Sequence, residues 1–403
     1  MVQIAIMGYG TIGSGVYDVV NTNQAIIQGN LGKELRVKYV LDLREFPGDP
    51  VESILVHDVN VIINDPEVEI VVETMGGEHP AFEFVSSMLK AGKSVVTSNK
   101  NLVAAKGVEL MKLAVENNVN FMYEASVGGG IPIIRPLTRS VLPINNVDEI
   151  TGILNGTTNY ILTKMYHDGS EMADVLKEAQ DKGYAERNPE ADVEGYDACR
   201  KIAILGSIVT GKQIDYQTIP TEGITNVTKE DMIYAKKLGR VIRLLGTCRK
   251  VDDIYYAEVA PYMVGSNSPL FAVNGVFNGI MVHGNMLDTV MFYGQGAGSH
   301  PTASAVMSDV VDAAAHTGRI IYPGWGPDKL HLGEYDEWKH VFLLRFKGDA
   351  SKREDVEAVV GPVQVIEGCV PGEIGFITGS IANRDMAAVS KLDGFISHFR
   401  IKR

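Results

Sequence analysis

Asp197 and Lys201 stand four residues apart in Asp192-Val193-Glu194-Gly195-Tyr196-Asp197-Ala198-Cys199-Arg200-Lys201, just ahead of the apolar run Ile202-Ala203-Ile204-Leu205. On a helix that spacing brings both side chains onto one face. A carboxylate beside an amine, at the mouth of a helix that then turns apolar, suits proton transfer to a small polar substrate. Asp192 is expected to cap this helix. Glu186, in the Gly/Asn/Pro-containing loop ahead of it, can reach the same space. The competing reading is an ordinary i,i+4 ion pair on a solvated face, which is common helix decoration.

Other elements must carry a substrate to that pair. Val2-Gln3-Ile4-Ala5-Ile6-Met7 reads as a buried strand, and Gly8-Tyr9-Gly10-Thr11-Ile12-Gly13 follows at once, leading into a helical pattern through Val16, Val19 and Val20. A lone GxGxxG is a weak signal, but strand, glycine turn and helix come here in the required order. Gly8 makes the tight turn, Gly10 lets the backbone approach a pyrophosphate, and Gly13 permits close helix–strand packing. Thr11 and Ile12 open the helix, whose N-terminus faces the phosphate charge. A plain strand–turn–helix is the competing reading. The next strand, residues 35–41, ends in Asp42, where such a fold places the carboxylate that reads the ribose. The interval from the glycines exceeds the usual ~20 residues, and the polar segment 21–33 can absorb the excess. Asp42 would favour NAD by bonding the 2′-hydroxyl, whereas Arg44 could meet the 2′-phosphate of NADP. The sequence leaves that choice open.

Strands at 70–74, 94–97 and 119–124 then alternate with helices at 82–91 and 103–117. This rhythm predicts a parallel sheet with right-handed crossovers, and ligands bind beyond the carboxyl ends of such strands. Thr74, Ser98, Lys100 and Glu124 are therefore expected at the binding edge. Lys100 can be a cofactor or substrate contact, or a surface lysine opening a helix. After Glu124, the run Gly128-Gly129-Gly130 exposes backbone. Carbonyls plus one carboxylate make an oxygen cage for a hard cation, with too little charge for a tight divalent site. A glycine hinge between domains fits the same residues.

The remaining composition narrows the class. The 403 residues are 45% hydrophobic and 22% charged, an ordinary globular balance too long for one core. A net charge of −13, with no basic block, argues against a nucleic-acid or anionic-membrane partner. No apolar run approaches the roughly 20 residues that span a bilayer. Met1-Val2-Gln3-Ile4 lacks a basic n-region, so no signal peptide is expected. Three cysteines, Cys199, Cys248 and Cys369, show no C-x-x-C spacing, which fits a reducing cytoplasm and no zinc site.

Past Pro132 the alternation stops. Residues 150–160 read as a strand running into a polar Thr/Asn loop, and strand-like runs follow at 241–248, 255–262, 279–283 and 289–293. This predicts a second domain of mixed topology whose sheet can also pair with a partner subunit. Gly294-Gln295-Gly296-Ala297-Gly298-Ser299 then leads to a helix over 301–316, well placed to return to the nucleotide domain. Taken together, GYGTIG, TSNK (97–100), YEASVGGGIPII (123–134), GILNGTTNYILT (152–163), GYAE (183–186), DVEGYDACRK (192–201) and GQGAGSHPTASAV (294–306) resemble the homoserine dehydrogenase family. The resemblance implies NAD(P)-dependent interconversion of L-homoserine and L-aspartate 4-semialdehyde, in the threonine, methionine and isoleucine branch of aspartate metabolism. It gives Lys201 the proton-transferring role, with Lys100 or Asp192 ordering the relay. Glu186 and Asp197, with Gly156 and Thr157 of the central motif, match substrate-binding positions. Thr74, Ser98, Lys100 and Gly298 match cofactor contacts. Glu124 with the carbonyls of Val127, Gly129 and Ile131 matches a sodium-type monovalent cation site.

Residues 340–346, 363–367, 373–379 and 395–402 read as strands, and 355–360 and 382–392 as helices. This βαββαβ order resembles an ACT regulatory domain, which implies an amino-acid effector such as threonine. Gly348-Asp349-Ala350-Ser351-Lys352 departs from the D-x-P-G turn of that pattern, so pairing of such units across an oligomer is an equal reading. The expected architecture is an α/β protein in three parts. A Rossmann nucleotide-binding domain spans 1–131, completed by a helix over 300–320. An α+β catalytic and dimerisation domain spans 132–299, and an ACT-like domain 336–403. A homodimer or homotetramer is expected. Two rivals remain. A semialdehyde dehydrogenase would need a nucleophilic cysteine, but Cys199 sits inside the expected helix. A non-catalytic nucleotide- and amino-acid-sensing protein would not need Glu186, Asp197 and Lys201.

Overall fold

The computed structural model describes residues 1–321 and 324–402. The first half alternates strand and helix: β1 (Val2–Met7), α1 (Thr11–Thr22), α2 (Gln24–Leu31), β2 (Leu35–Leu41), β3 (Leu55–Val56), α3 (Val59–Ile63), β4 (Val68–Glu73), α4 (Ala81–Lys90), β5 (Ser94–Thr97), α5 (Lys100–Glu116) and β6 (Phe121–Met122). These strands form one sheet of order β3-β2-β1-β4-β5-β6, and every pairing in it is parallel. The order reverses at β1, so the crevice beyond the ends of β1 and β4 is the place for a ligand. The strands are near-continuous apolar runs because both faces are covered. The segment 21–33 is not a loop: most of it is α2, ended by Gly32 in the left-handed conformation. The expected strand at 119–124 shrinks to two residues, and Glu124 opens a single 3-10 turn instead.

A short helix, α6 (Ile134–Pro136), runs into one π turn at Leu137–Val141. The second half then follows: β7 (Val147–Ile153), α7 (Gly156–Asp168), α8 (Met172–Asp181), α9 (Glu190–Val193), α10 (Tyr196–Thr210), α11 (Lys229–Lys237), β8 (Arg240–Val251), β9 (Ile254–Gly265), β10 (Phe277–Gly284), β11 (Asp288–Gln295) and α12 (Ser299–Ala315). The expected Thr/Asn loop at 156–160 is helical. Asn155 caps α7 by accepting the Thr158 N–H at 2.9 Å, which turns the polar run inward. Asp192 does not cap the catalytic helix. It lies in α9, and Gly195, at φ +82°, takes the N-cap position of α10 with no side-chain cap. α12 packs on the first sheet: Ala303, Val306, Val310 and Ala313 share a buried cluster with Val2, Ile4, Ile6, Val16 and Val20.

The tail is β12 (Lys339–Lys347), α13 (Arg353–Val360), β13 (Gln364–Ile366), β14 (Glu373–Ala382), α14 (Met386–Val389) and β15 (Phe395–Ile401). The predicted βαββαβ order is present, with helix 382–392 reduced to α14 and the turn before it. Arg403, the last residue of the expected tail, lies outside the described residues. The four tail strands take the order β15-β12-β14-β13, an antiparallel split βαβ arrangement. They are not a separate sheet. β15 pairs in parallel with β9 through Arg400↔Tyr262 and Ile401↔Met263, so one nine-stranded sheet runs through both parts. Each strand meets an edge of unpaired N–H and C=O groups on the other, and joining the edges satisfies both. Among the described residues, no helix is long and apolar enough to cross a membrane.

Candidate active site

Asp197 and Lys201 lie one turn apart on α10 and face inward, both buried. The Lys201 ammonium donates to Asp197 Oδ2 at 2.7 Å and to the Leu154 carbonyl at 2.8 Å. Lys100, at the start of α5 in the first domain, makes an ion pair with Asp197 Oδ1 at 2.6 Å. One carboxylate is thus gripped by two lysines from two domains. Asn155 completes the floor, giving its Nδ2 hydrogens to Asp197 Oδ2 at 2.8 Å and to Asp192 Oδ1 at 2.7 Å.

The two lysines share a partner, yet burial separates them. The Lys201 side chain is 10% exposed, and desolvation lowers its pKa from the ordinary lysine value against the pull of Asp197. The Lys100 side chain is 38% exposed, and the Asp197 charge, outweighing burial, raises its pKa. Burial by itself would raise Asp197, but the two ammonium groups overcome it and hold the carboxyl well below the usual range. Burial, then the Asp197 charge, pushes Asp192 up. Of the two lysines, Lys201 is the one whose proton burial loosens, while the Asp197 charge holds the proton of Lys100.

These residues line a cleft of about 640 Å³ together with Ile12, Ser98, Gly129, Gly156, Thr157 and Gly298. A larger cavity of about 850 Å³ lies where β7 and β8 meet the tail. The smaller cleft is the functional candidate, because only it collects the lysines, Asp197 and the glycine loops. The glycine turn beside it fits a dinucleotide. Gly8 has φ +95°, and a Cβ on Gly13 would stand 1.9 Å from the Gly8 carbonyl oxygen. A Cβ on Gly10 would meet nothing within 4 Å, so the backbone there, with the Thr11 end of α1, faces open space. Thr74 Oγ1 donates to the Gly8 carbonyl at 2.7 Å and holds the turn from beneath. Ser299 Oγ donates to the Thr11 carbonyl at 2.7 Å, pinning α12 to the same turn. Asp42 accepts from the Tyr9 N–H at 2.8 Å and from Arg44 Nε and Nη2 at 3.0 and 2.8 Å. The Arg44 bonds hold its carboxyl well below the usual range.

Two expected site residues stand apart. Glu186 is exposed and outside the cleft; Lys182, Gly183 and Tyr184 line it instead. Thr157 Oγ1 donates to the Tyr184 carbonyl at 2.6 Å and ties that residue to the cleft wall. Glu124 is buried, with its carboxylate accepting the N–H groups of Ile133, Ile134 and Arg135 at 2.6, 2.8 and 2.7 Å. It anchors the start of α6. Among the described residues, no group of three or more His, Cys, Asp or Glu side chains could hold a metal ion. Asn155 and the Leu154 carbonyl escaped sequence reasoning. Asn155 three residues before Thr158 was a legible N-cap signal, hidden by reading the polar run as a loop.

Residues 8–124 match the family model described as homoserine dehydrogenase, NAD binding domain, and residues 132–311 match that described as homoserine dehydrogenase. A Synechocystis homoserine dehydrogenase is 43% identical over 319 residues, spanning 77% of this chain and 73% of its own length. Its counterpart in Bacillus subtilis is 39% identical over 313 residues, spanning 77% of this chain and 72% of its own. The crystal structure of a homoserine dehydrogenase from Thiobacillus denitrificans covers 100% of this chain and 98% of its own, with a TM-score of 0.91 at 32% identity. A hyperthermophilic archaeal homoserine dehydrogenase in complex with NADPH covers 77% of this chain and 97% of its own, with a TM-score of 0.65 at 29% identity.

Proposed function

This chain belongs to the homoserine dehydrogenase family, and we propose that its Lys201 carries the proton in the NAD(P)-dependent interconversion of L-homoserine and L-aspartate 4-semialdehyde. The observation that carries this reading is the sharing of Asp197 by Lys100 and Lys201 inside the cleft. Bound NAD(P) supplies the hydride chemistry, and Gly8, Gly10, Thr11, Ile12 and Gly13 are the residues that would hold its pyrophosphate. What the chain must then do is orient the substrate and move one proton.

In the oxidative direction Lys201, as the neutral amine, accepts the hydroxyl proton; in the reductive direction its ammonium returns it. Burial favours the neutral form and Asp197 the charged form, so the two opposing effects bring Lys201 closer to working pH. Lys100 stays charged and orders Asp197. Asp192, coupled to Asp197 through Asn155, completes the relay. The substrate's amino-acid end falls to Asp197, Gly156 and Thr157. Glu186 joins them when loop 182–189 folds inward, which makes it a residue of the closed cleft.

Three finer readings accompany this one. A sodium-type cation would rest on the carbonyls of Val127, Gly129 and Ile131, with Glu124 beside them, because hard cations take oxygen ligands. The three N–H groups on Glu124 leave the carbonyls most of that work. Asp42 and Arg44 together accept either nicotinamide nucleotide. The tail acts as an ACT-like unit for threonine response or oligomer assembly.

Initial rates of homoserine oxidation, with NAD and with NADP, with and without threonine, test the reading on wild type and Lys201→Ala. Turnover by wild type and a loss of roughly 10²–10⁴-fold in the variant, with cofactor binding retained, support it. A variant that keeps its rate would remove Lys201 from the proton path.

A further inference from the structure

Asn278 is the second residue of β10 and is 0% exposed. Neither its Nδ2 nor its Oδ1 has a hydrogen-bond partner. A buried carboxamide with no partner is costly, and each such group calls for an explanation. Nearby Asn159 shows what a buried amide nitrogen with partners does here: its Nδ2 donates to the carbonyls of Val273, Gly275 and Phe277 at 3.2, 3.0 and 3.0 Å, fixing the start of the same strand. The base under Asn278 is therefore firm, and its own amide is left idle.

What lies on that amide is the glycine loop after β11. A Cβ on Gly296 would stand 2.0 Å from Asn278 Nδ2 and 2.4 Å from Oδ1, so the Gly296 backbone rests flat on the carboxamide. Above it sits the Gly128–Gly130 run. A Cβ on Gly129 would stand 2.4 Å from the Gly296 carbonyl carbon and oxygen, and the Gly130 N–H donates to the Gln295 carbonyl at 3.0 Å. A Cβ on Gly156 would press on the Val276 carbonyl oxygen at 2.7 Å and come within 3.7 Å of Asn278 Oδ1. Gly129, Gly156, Gly296 and Gly298 all line the cleft. The amide is thus buried beneath backbone that forms the cleft wall, at the junction of both domains.

We propose that Asn278 is a positioning residue that seats the Gly296–Gly298 loop on the nucleotide. A carboxamide offers two donors and an acceptor, and the Gly296 backbone pressed against it has the freedom of glycine to turn. With NAD(P) in the cleft, the loop shifts so that its peptide groups pair with the amide, and the cleft wall locks. The apolar alternative, a leucine of similar bulk, would fill the space in the open form and offer nothing in the closed one. This inference rests on the family reading for the identity of the nucleotide; wild-type turnover tests that reading, and nucleotide titration tests this one.

The experiment uses the full chain as wild type, Asn278→Leu and Asn278→Ala. It reads the melting temperature with and without NADPH, the NADPH dissociation constant by calorimetry, and KM for nucleotide and for homoserine separately. The expected result for Asn278→Leu is an unliganded melting temperature equal to or above wild type, a smaller NADPH-induced rise, and a dissociation constant weakened about tenfold. KM for NADPH rises with it while KM for homoserine holds. If Asn278→Leu fails to fold, Asn278→Ala is read by the same titration. Nucleotide affinity within about twofold of wild type in a folded variant overturns the proposal, since that is the result of packing alone.

Discussion

Two of the clusters of buried charge in this molecule differ in their carriers. In the cleft it sits on lysines, with Lys100 and Lys201 on Asp197. At the junction of the second half with the tail it sits on arginines. Arg400 makes ion pairs with Glu258 at 3.1 Å and Glu222 at 2.8 Å and a hydrogen bond to Tyr335, while Arg345 pairs with Asp231 and with Glu373 at 2.7 Å. Burial acts on both sets and ends differently. It lowers Lys201, whereas for Arg400 it is overcome by Glu258 and its neighbours, and the charge is held more firmly than in water. A guanidinium cannot give up its proton in a protein, and its planar fork satisfies several acceptors at once. An ammonium can give up its proton when desolvated. The same burial therefore leaves arginine a clamp and loosens the proton of lysine, as the role proposed for Lys201 requires.

The sharpest way to test that contrast is to delete one cation from each set. Lys201→Ala should lower kcat by roughly 10²–10⁴-fold while leaving the melting temperature near that of wild type. Arg400→Met should do the reverse. It strands Glu258 as a buried unpaired carboxylate and costs about 3–5 kcal/mol of stability by denaturant unfolding, with kcat/KM unchanged in the folded fraction. A large loss of kcat in Arg400→Met would erase the distinction.

The pH profile refines it. Oxidation needs neutral Lys201, so kcat should rise with pH and level off above the lowered Lys201 pKa; reduction needs the ammonium and should fall over the same range. In Asp197→Asn the charge that holds the Lys201 proton is gone, the lysine pKa drops further, and the residual oxidation limb should move to lower pH. A limb that moves upward would contradict the assignment. The smallest expected effect lies at the nucleotide end. Arg44→Ala should weaken kcat/KM for NADP about tenfold more than for NAD, the scale of one charge-assisted hydrogen bond; equal losses would remove Arg44 as a phosphate contact.

Much of this was legible in the chain. Strand, glycine turn and helix at residues 2–20 are local signals, and so is the four-residue spacing of Asp197 and Lys201. Errors arose where a local pattern had two solutions. The run after Asn155 is polar enough for a loop, but its hydroxyls and amides find partners within a capped, buried helix. Asp192 has the right side chain for a cap, but Gly195 adopts a left-handed φ that ends α9 and starts α10. Glu186 belongs to the right motif, yet it is exposed outside the cleft, which Lys182, Gly183 and Tyr184 line.

By itself the sequence determined the alternating α/β order of the first half, the glycine turn, and the pair on α10, because periodicity and short spacing act through neighbours along the chain. Tertiary structure alone decided that Lys100 meets Asp197 from another domain, and that β15 joins β9 to continue the second sheet. It also decided which lysine is desolvated and which keeps contact with solvent. Burial depth is a property of the packed whole, and no spacing along the chain encodes it.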